Sequence, residues 1–260
     1  MSQENRIACV ALRVFDYFRI KNMDIHLGRH RGASRSATRV ARTMRLSHRI
    51  PITPWRATST WAIRPRMLAP LLVGLSLFGF GEGLLVQSHW GATPWTVFAE
   101  GVSRHTNLSL GWSTALISAV VLLLWLPLRE RPGFGTIANL IVIAYVLDLT
   151  TYALAVPSNP GLKILYIVSG VVVIGVGSAL YLSTNLGPGP RDGLMTSIHR
   201  RFHVSLVYVR LTLELIVVVI GWLMGGTLGV GTVFFAATIG FSIGVSLNAM
   251  DRIVKKFSHD

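Results

Sequence analysis

One cysteine, Cys9, is all that the 260-residue sequence holds. A lone thiol can neither close a disulfide within the chain nor supply the sulfurs of a structural zinc site, so a disulfide scaffold and a Cys-based metal centre are both excluded. Charge is scarce as well. Asp, Glu, Lys and Arg make up 14% of the residues, where a water-facing domain carries roughly a quarter. Acid is scarcest, with 11 Asp+Glu against 25 Lys+Arg and a formal net charge of +14. Motifs that carry chemistry are missing too: there is no His-Glu-x-x-His, no paired-Asp motif and no Gly-x-x-x-x-Gly-Lys, and the 8 histidines are scattered. Gly229-Val230-Gly231 begins like a dinucleotide loop, but it opens an apolar run and follows no strand. The chain is therefore expected not to be an enzyme, and no cofactor or metal is expected.

What is present is apolar. Hydrophobic residues make up 51% and the mean hydropathy is +0.53, which points to burial in lipid, while the basic balance points to an anionic partner. The two signals come from different parts of the chain. Residues 1–68 hold 14 of the basic residues against Glu4, Asp16 and Asp24, and residues 69–260 hold the other 11 against 8 acids. A basic segment, 1–66, thus precedes a nearly neutral body. Crossing a bilayer takes about 20 mostly apolar residues in helix. The body has six such runs, Ala69–Val86, Gly111–Leu128, Gly135–Val156, Ile164–Leu186, Ser205–Met224 and Gly231–Ala249. Stretches such as Ala115–Leu126 lack the polar stripe of a soluble amphipathic helix. The expected fold class is an all-α membrane protein with six transmembrane helices at 67–250 and a short tail at 251–260. Its partner is the lipid bilayer. Arg and Lys on alternate connections place both termini in the cytoplasm.

The body also repeats itself. A shift of 96 residues without a gap lays Gly74, Gly79, Gly81, Gly91, Pro94, Gly133, Gly135 and Thr136 on Gly170, Gly175, Gly177, Gly187, Pro190, Gly229, Gly231 and Thr232. Six coincident glycines with a repeated Gly-x-Gly-Thr argue for duplication. Each unit, about 69–156 and 164–249, has three spans. An odd number inverts the second unit relative to the first, an arrangement common among secondary transporters.

Two Gly/Pro breaks fall at equivalent places, Gly91-Ala92-Thr93-Pro94-Trp95 and Gly187-Pro188-Gly189-Pro190-Arg191-Asp192-Gly193. Each precedes a short amphipathic stretch, Thr96–His105 and Leu194–His203, and Pro94 and Pro190 suit a first helical turn. Exposed N–H groups at such helix starts can hold an anion, and paired breaks in two halves point to a transporter site. Gly91, Pro94, Trp95, Gly187, Pro190, Arg191, Asp192 and Arg210 are therefore candidate substrate-binding residues. Ionisable groups inside spans are costly and mark function, which makes Glu82, Asp148 and Glu214 candidates for proton or ion coupling. The plainer reading pairs Arg210 with Glu214 four residues on and treats the breaks as interfacial turns.

The runs Gly91–Trp95, Pro132–Asn139, Leu186–Met195, Val209-Arg210 through Glu214, and Gly225–Thr232 resemble the YczE-like branch of the YczE/YyaS/YitT bacterial membrane proteins. The likeness spans about residues 70–247. It implies an integral protein of the bacterial inner membrane with no assigned activity. The family often carries Asp after Pro-Trp where this chain has Thr96, so of two such carboxylates only Asp192 remains. Residues 1–66 lie outside the resemblance and are expected to form a disordered basic cytoplasmic segment or an untranslated extension, with Met44 or Met67 as alternative starts; no nucleic acid is expected as a partner. Transport of a small solute, an anion being the suggestion of Arg191 and Arg210, is the leading function. A non-transporting membrane helper that recruits or stabilises a partner protein is the alternative.

Overall fold

A computed structural model describes Pro51 and residues Thr53–Phe257. Among them every regular element is a helix: α1 Pro65–Gln87, α2 Pro94–His105, α3 Leu110–Leu123, α4 Trp125–Leu128, α5 Phe134–Ala153, α6 Pro160–Ser183, α7 Pro190–Phe202, α8 Leu206–Leu223 and α9 Val230–Phe257. Six of these segments, with α3 and α4 counted as one, are long and apolar enough to cross a bilayer, as the sequence indicates. Pro94 and Pro190 each start a short helix, because a fixed φ and a missing N–H cost nothing in a first turn. The last helix runs past the expected end at Ala249 to Phe257. Lys255 and Lys256 favour its C-terminal dipole, and Lys255 pairs with Asp251 one turn back.

The centre of the fold is a crossing of α1 and α6 in which glycines replace side chains. A Cβ on Gly74 would stand 2.8 Å from the Gly177 carbonyl oxygen, and one on Gly81 would stand 2.8 Å from that of Gly170. Backbones approach this closely only where nothing projects, which is how small residues drive helix association in lipid. Contacts made by one half recur in the other at the 96-residue offset with the partners exchanged. Gly135 N donates to Leu186 O at 2.8 Å, and Gly231 N donates to Trp90 O at 2.7 Å. Gly91 and Gly187 share the left-handed region, at φ +118° and +120°, as do His89 and Asn185 at +52° and +58°.

The correspondence fails on one side. Gly111 of α3 presses on Ala144 O and the Asp148 carboxylate of α5, whereas Gly240 of α9, the mate of Ala144, has nothing within 4 Å of a would-be Cβ. Helix α8 therefore leans on α2 and α7 and leaves much of its apolar surface exposed, Leu215, Trp222 and Leu223 included.

Composition draws the edge of the body at residue 66, yet the described residues before it are engaged. Thr53 Oγ1 donates to Ser183 O, Trp55 Nε1 to Ser183 Oγ, Ala57 N to Thr184 O, and Asn185 Nδ2 back to Ala57 O. Ala57 is buried with Met67, Leu71 and Tyr181. This strap closes the C-terminal end of α6, and Arg56 within it, with Arg64 and Arg66 just after, explains why a charge count assigns it to the basic segment. The rest of that segment, and its expected disorder, fall outside the described residues.

Candidate functional site

After α1 the chain does not continue outward. His89 and Gly91 take left-handed conformations and turn it back, so that Thr93 Oγ1 donates to Glu82 Oε1 at 3.2 Å, five residues before the end of α1 at Gln87. At 1.5 Å per residue that is a return of about 7.5 Å. Helix α2 therefore starts inside the bundle, below the end of α1. Thr93 caps it, accepting from Thr96 N at 3.3 Å. The one Thr93 hydroxyl proton goes to Glu82, so the 2.7 Å contact with Thr96 Oγ1 is donated by Thr96.

The second break follows the same path. Gly187 abuts Thr136, whose hydroxyl donates to Pro188 O at 2.8 Å, and Trp125 Nε1 donates to Pro190 O at 3.1 Å. These contacts aim the start of α7 at the same place. The mate of Thr93 is Gly189, which has no side chain, so no side-chain cap covers the first turn of α7.

Both starts meet on Glu82. Arg191 Nη1 lies 3.1 Å from Glu82 Oε1, and its guanidinium sits over the Trp95 ring, 5.4 Å from the centroid. Trp95 and Arg191 are themselves mates at the 96-residue offset. Glu82 is 1% exposed and Arg191 17% exposed, so the pair lies where lost hydration must be recovered by partners. Recovery is incomplete: Glu82 Oε2 and Trp95 Nε1 are buried with no hydrogen-bond partner among the described residues. A free acceptor and a free donor at one buried ion pair are more than a structural lock needs.

Beyond the pair, Asp192 Oδ2 accepts from Tyr181 OH at 2.9 Å. Arg210 pairs with Glu214 at 2.9 Å on its own helix, as their i,i+4 spacing indicates. Asp148 stands elsewhere. Its oxygens accept from Ser109 Oγ and Gly111 N, so it caps α3 from the flank of α5 and takes no part in the central cluster. Of the candidates, the fold thus gathers Glu82, Trp95 and Arg191, with Asp192 adjoining and Arg210, held by Glu214, within electrostatic reach of Asp192 and Tyr181; Gly91, Gly187, Pro94 and Pro190 shape the turns; Asp148 lies outside.

Tyr181 and Thr93 were not singled out by the sequence. Thr93 is legible in retrospect as a capping residue before Pro94; Tyr181 has no local signal. The mates of the charged residues are neutral: Ser178 for Glu82, Thr96 for Asp192, Thr114 for Arg210 and Ser118 for Glu214, all buried. The first half carries three of these four hydroxyls and the second three of the four charges.

A family model described as a family of unknown function, DUF6198, matches residues 65–248. An uncharacterized protein of Haemophilus influenzae is 46% identical over 204 residues, 78% of this chain and 94% of that protein. The uncharacterized membrane protein YczE of Bacillus subtilis is 32% identical over 176 residues, 67% of this chain and 82% of its own. The uncharacterized protein YyaS of the same bacterium is 25% identical, covering 69% and 92%. No solved structure matches.

Proposed function

The chain belongs to the DUF6198 family of unknown function, as a YczE-like multi-pass membrane protein, and from that premise we propose that it is a small-solute transporter of the bacterial inner membrane and not an enzyme. The observation that carries this reading is the Glu82–Arg191 pair under Trp95, built by two helix starts that turn back into the bundle. Non-helical backbone is tolerated at such depth only where it is buried in protein or lines a path for water. Discontinuous helices at the junction of two repeats are where transporters bind solute. The exchange of contacts at the 96-residue offset supports reading the halves as inverted repeats. Arg129, Arg131, Arg200 and Arg201 then lie on the cytoplasmic side with both termini.

The test is access. Thr96 is fully buried beside the pair, and with Cys9 replaced by Ser a Thr96→Cys variant carries the chain's single thiol. In right-side-out and inverted vesicles, a membrane-impermeant thiol reagent is expected to reach it from each side. Protection from both sides, with labelling only after denaturation, would sink the transporter reading. It would favour a helper, to which the exposed apolar face of α8 offers a docking surface.

A further inference from the structure

This inference rests on the transporter reading and deepens it by naming what the site takes. We propose that the site carries a small monocarboxylate together with one proton, the carboxylate taking the place of Glu82 on Arg191.

Charge balance comes first. The central pair is one carboxylate and one guanidinium, both largely withdrawn from solvent, with the exposed Asp192 carboxylate adjoining it. Adding an anion alone would leave a net negative charge in the bundle, and adding a cation alone would leave a net positive one, each strongly unfavourable at such a place. An anion with a proton changes nothing. The proton binds Glu82 Oε2, the oxygen without a partner; the Glu82–Arg191 ion pair separates; the incoming carboxylate pairs with Arg191. The net charge of the site is the same before and after, and release on the other side returns both the proton and the anion.

Donor geometry comes second. Arg191 gives a single nitrogen to Glu82, although a guanidinium presents five N–H groups in a planar fork that fits two carboxylate oxygens. Trp95 Nε1 is a second idle donor, 93% of its residue surface being covered. The first turn of α7 has a glycine where α2 has a capping hydroxyl. Glu82 is thus an internal carboxylate on a site with donors to spare.

Other titratable groups near Glu82 are committed. On α6, Tyr181 donates to Asp192 of α7 and Lys163 lies over the Trp90 ring, with Tyr166 partly exposed. On α5, Asp148 caps α3, and Tyr145 and Tyr152 face outward. Arg210, beyond Asp192, is held by Glu214. Glu82 is the acid whose protonation frees Arg191.

The experiment uses the full chain in proteoliposomes with protein-free liposomes as control, the membrane potential clamped at zero, and radiolabelled lactate, succinate, chloride and glycerol as probes. An inward proton gradient is expected to drive lactate accumulation with one proton entering per lactate, read by a trapped pH dye, and with no response to an imposed potential. Succinate is not accumulated. Glu82→Gln is expected to lose at least tenfold of gradient-driven accumulation while keeping lactate–lactate counterflow, and that retained exchange reports an intact fold. Arg191→Gln loses both, and Arg191→Lys retains counterflow at weakened affinity. Lactate flux indifferent to the proton gradient, or unchanged in Glu82→Gln, would overturn the coupling and leave transport standing. Flux of chloride or glycerol without lactate would overturn the carboxylate assignment alone. No flux of any probe, together with a Thr96→Cys thiol protected from both sides, would overturn both.

Discussion

The crossing of α1 and α6 makes a sharp claim about glycine. A Cβ placed on Gly177 would stand 2.5 Å from Gly74 O, 2.8 Å from Phe78 N and 3.1 Å from Leu77 Cβ. Two of these three are backbone atoms that no rotamer change can move. Non-bonded heavy atoms settle at about 3.5 Å, so the two helices must part by about 1 Å, and a gap of that size forfeits roughly a quarter to a half of each contact's attraction. Overfilling a packed core costs about 1–3 kcal/mol. Alanine returns up to about 1 kcal/mol through its higher helix propensity. Gly177→Ala is therefore expected to destabilise the protein by up to about 2 kcal/mol.

Gly240 is the internal control. It too lies inside a long helix, but a Cβ there meets nothing within 4 Å, so Gly240→Ala keeps only the propensity gain and stabilises by about 0.5–1 kcal/mol. Reversible unfolding of the full chain in mixed micelles, titrated with a denaturing detergent and followed by tryptophan fluorescence, measures both. The midpoints should move in opposite directions and differ by about 2 kcal/mol. If they move together and by similar amounts, the close approach of α1 and α6 is not what these glycines serve, and the reasoning fails.

Three further outcomes follow from the same geometry. In a double-mutant cycle on stability, Arg191→Gln is expected to cost about 3–5 kcal/mol because it strands the buried Glu82 carboxylate; Glu82→Gln should cost less, the double variant should be milder than the sum, and strict additivity would show that the two side chains do not interact. Arg210→Gln strands Glu214, 15% exposed within a membrane span, and should cost more than the roughly 1 kcal/mol of a water-screened surface pair but less than Arg191→Gln. Relative to a chain starting at Met44, starting at Met67 removes six hydrogen bonds to the body, four to Ser183, Thr184 and Asn185 and those of Thr60 and Trp61 to Phe134 and Pro132, about 3–6 kcal/mol at roughly 0.5–1 kcal/mol each; equal midpoints for the two would deny the strap a role. Glu100 accepts from Thr227 N, yet burial outweighs that bond and the nearby Arg104 and raises its carboxyl above the ordinary value of 4.5. A raised value in the folded state means that stability is fullest at low pH and declines as pH climbs from 4.5 through the raised value, so Glu100→Gln should flatten the pH dependence of the melting temperature across that window, and an unaltered slope would contradict it.

Much of this fold is legible before any coordinates. An apolar run of about 20 residues needs no partner to declare itself, and the six spans fall where hydropathy puts them, with ends shifted by a few residues. Pro94 and Pro190 mark helix starts because ring geometry is a local property. Arg210 and Glu214 pair because four residues on a helix is a fixed distance. The site is less legible. Glu82 and Arg191 stand 109 residues apart, and their meeting depends on how far the turns at Gly91 and Gly187 bring the chain back. Asp148 has no charged neighbour within a helical turn and for that reason stands out as a functional candidate; its partners, Ser109 and Gly111, come from another helix and include a backbone N–H that no residue type reveals. The strap at residues 53–62 escapes for the opposite reason, since composition counts it with the basic segment while its apolar and hydroxyl groups bind the body.

The solvent, the lengths of the spans and the 96-residue recurrence of glycines can be read along the chain, because length, hydropathy and glycine spacing are properties of residues taken in order. Only the tertiary structure decided which charges meet. An ion pair in a membrane bundle is set by the distance between helices and by the depth to which a turn descends. Those follow from glycine backbones touching across a crossing, and no local pattern in the residues that bear the charges records it.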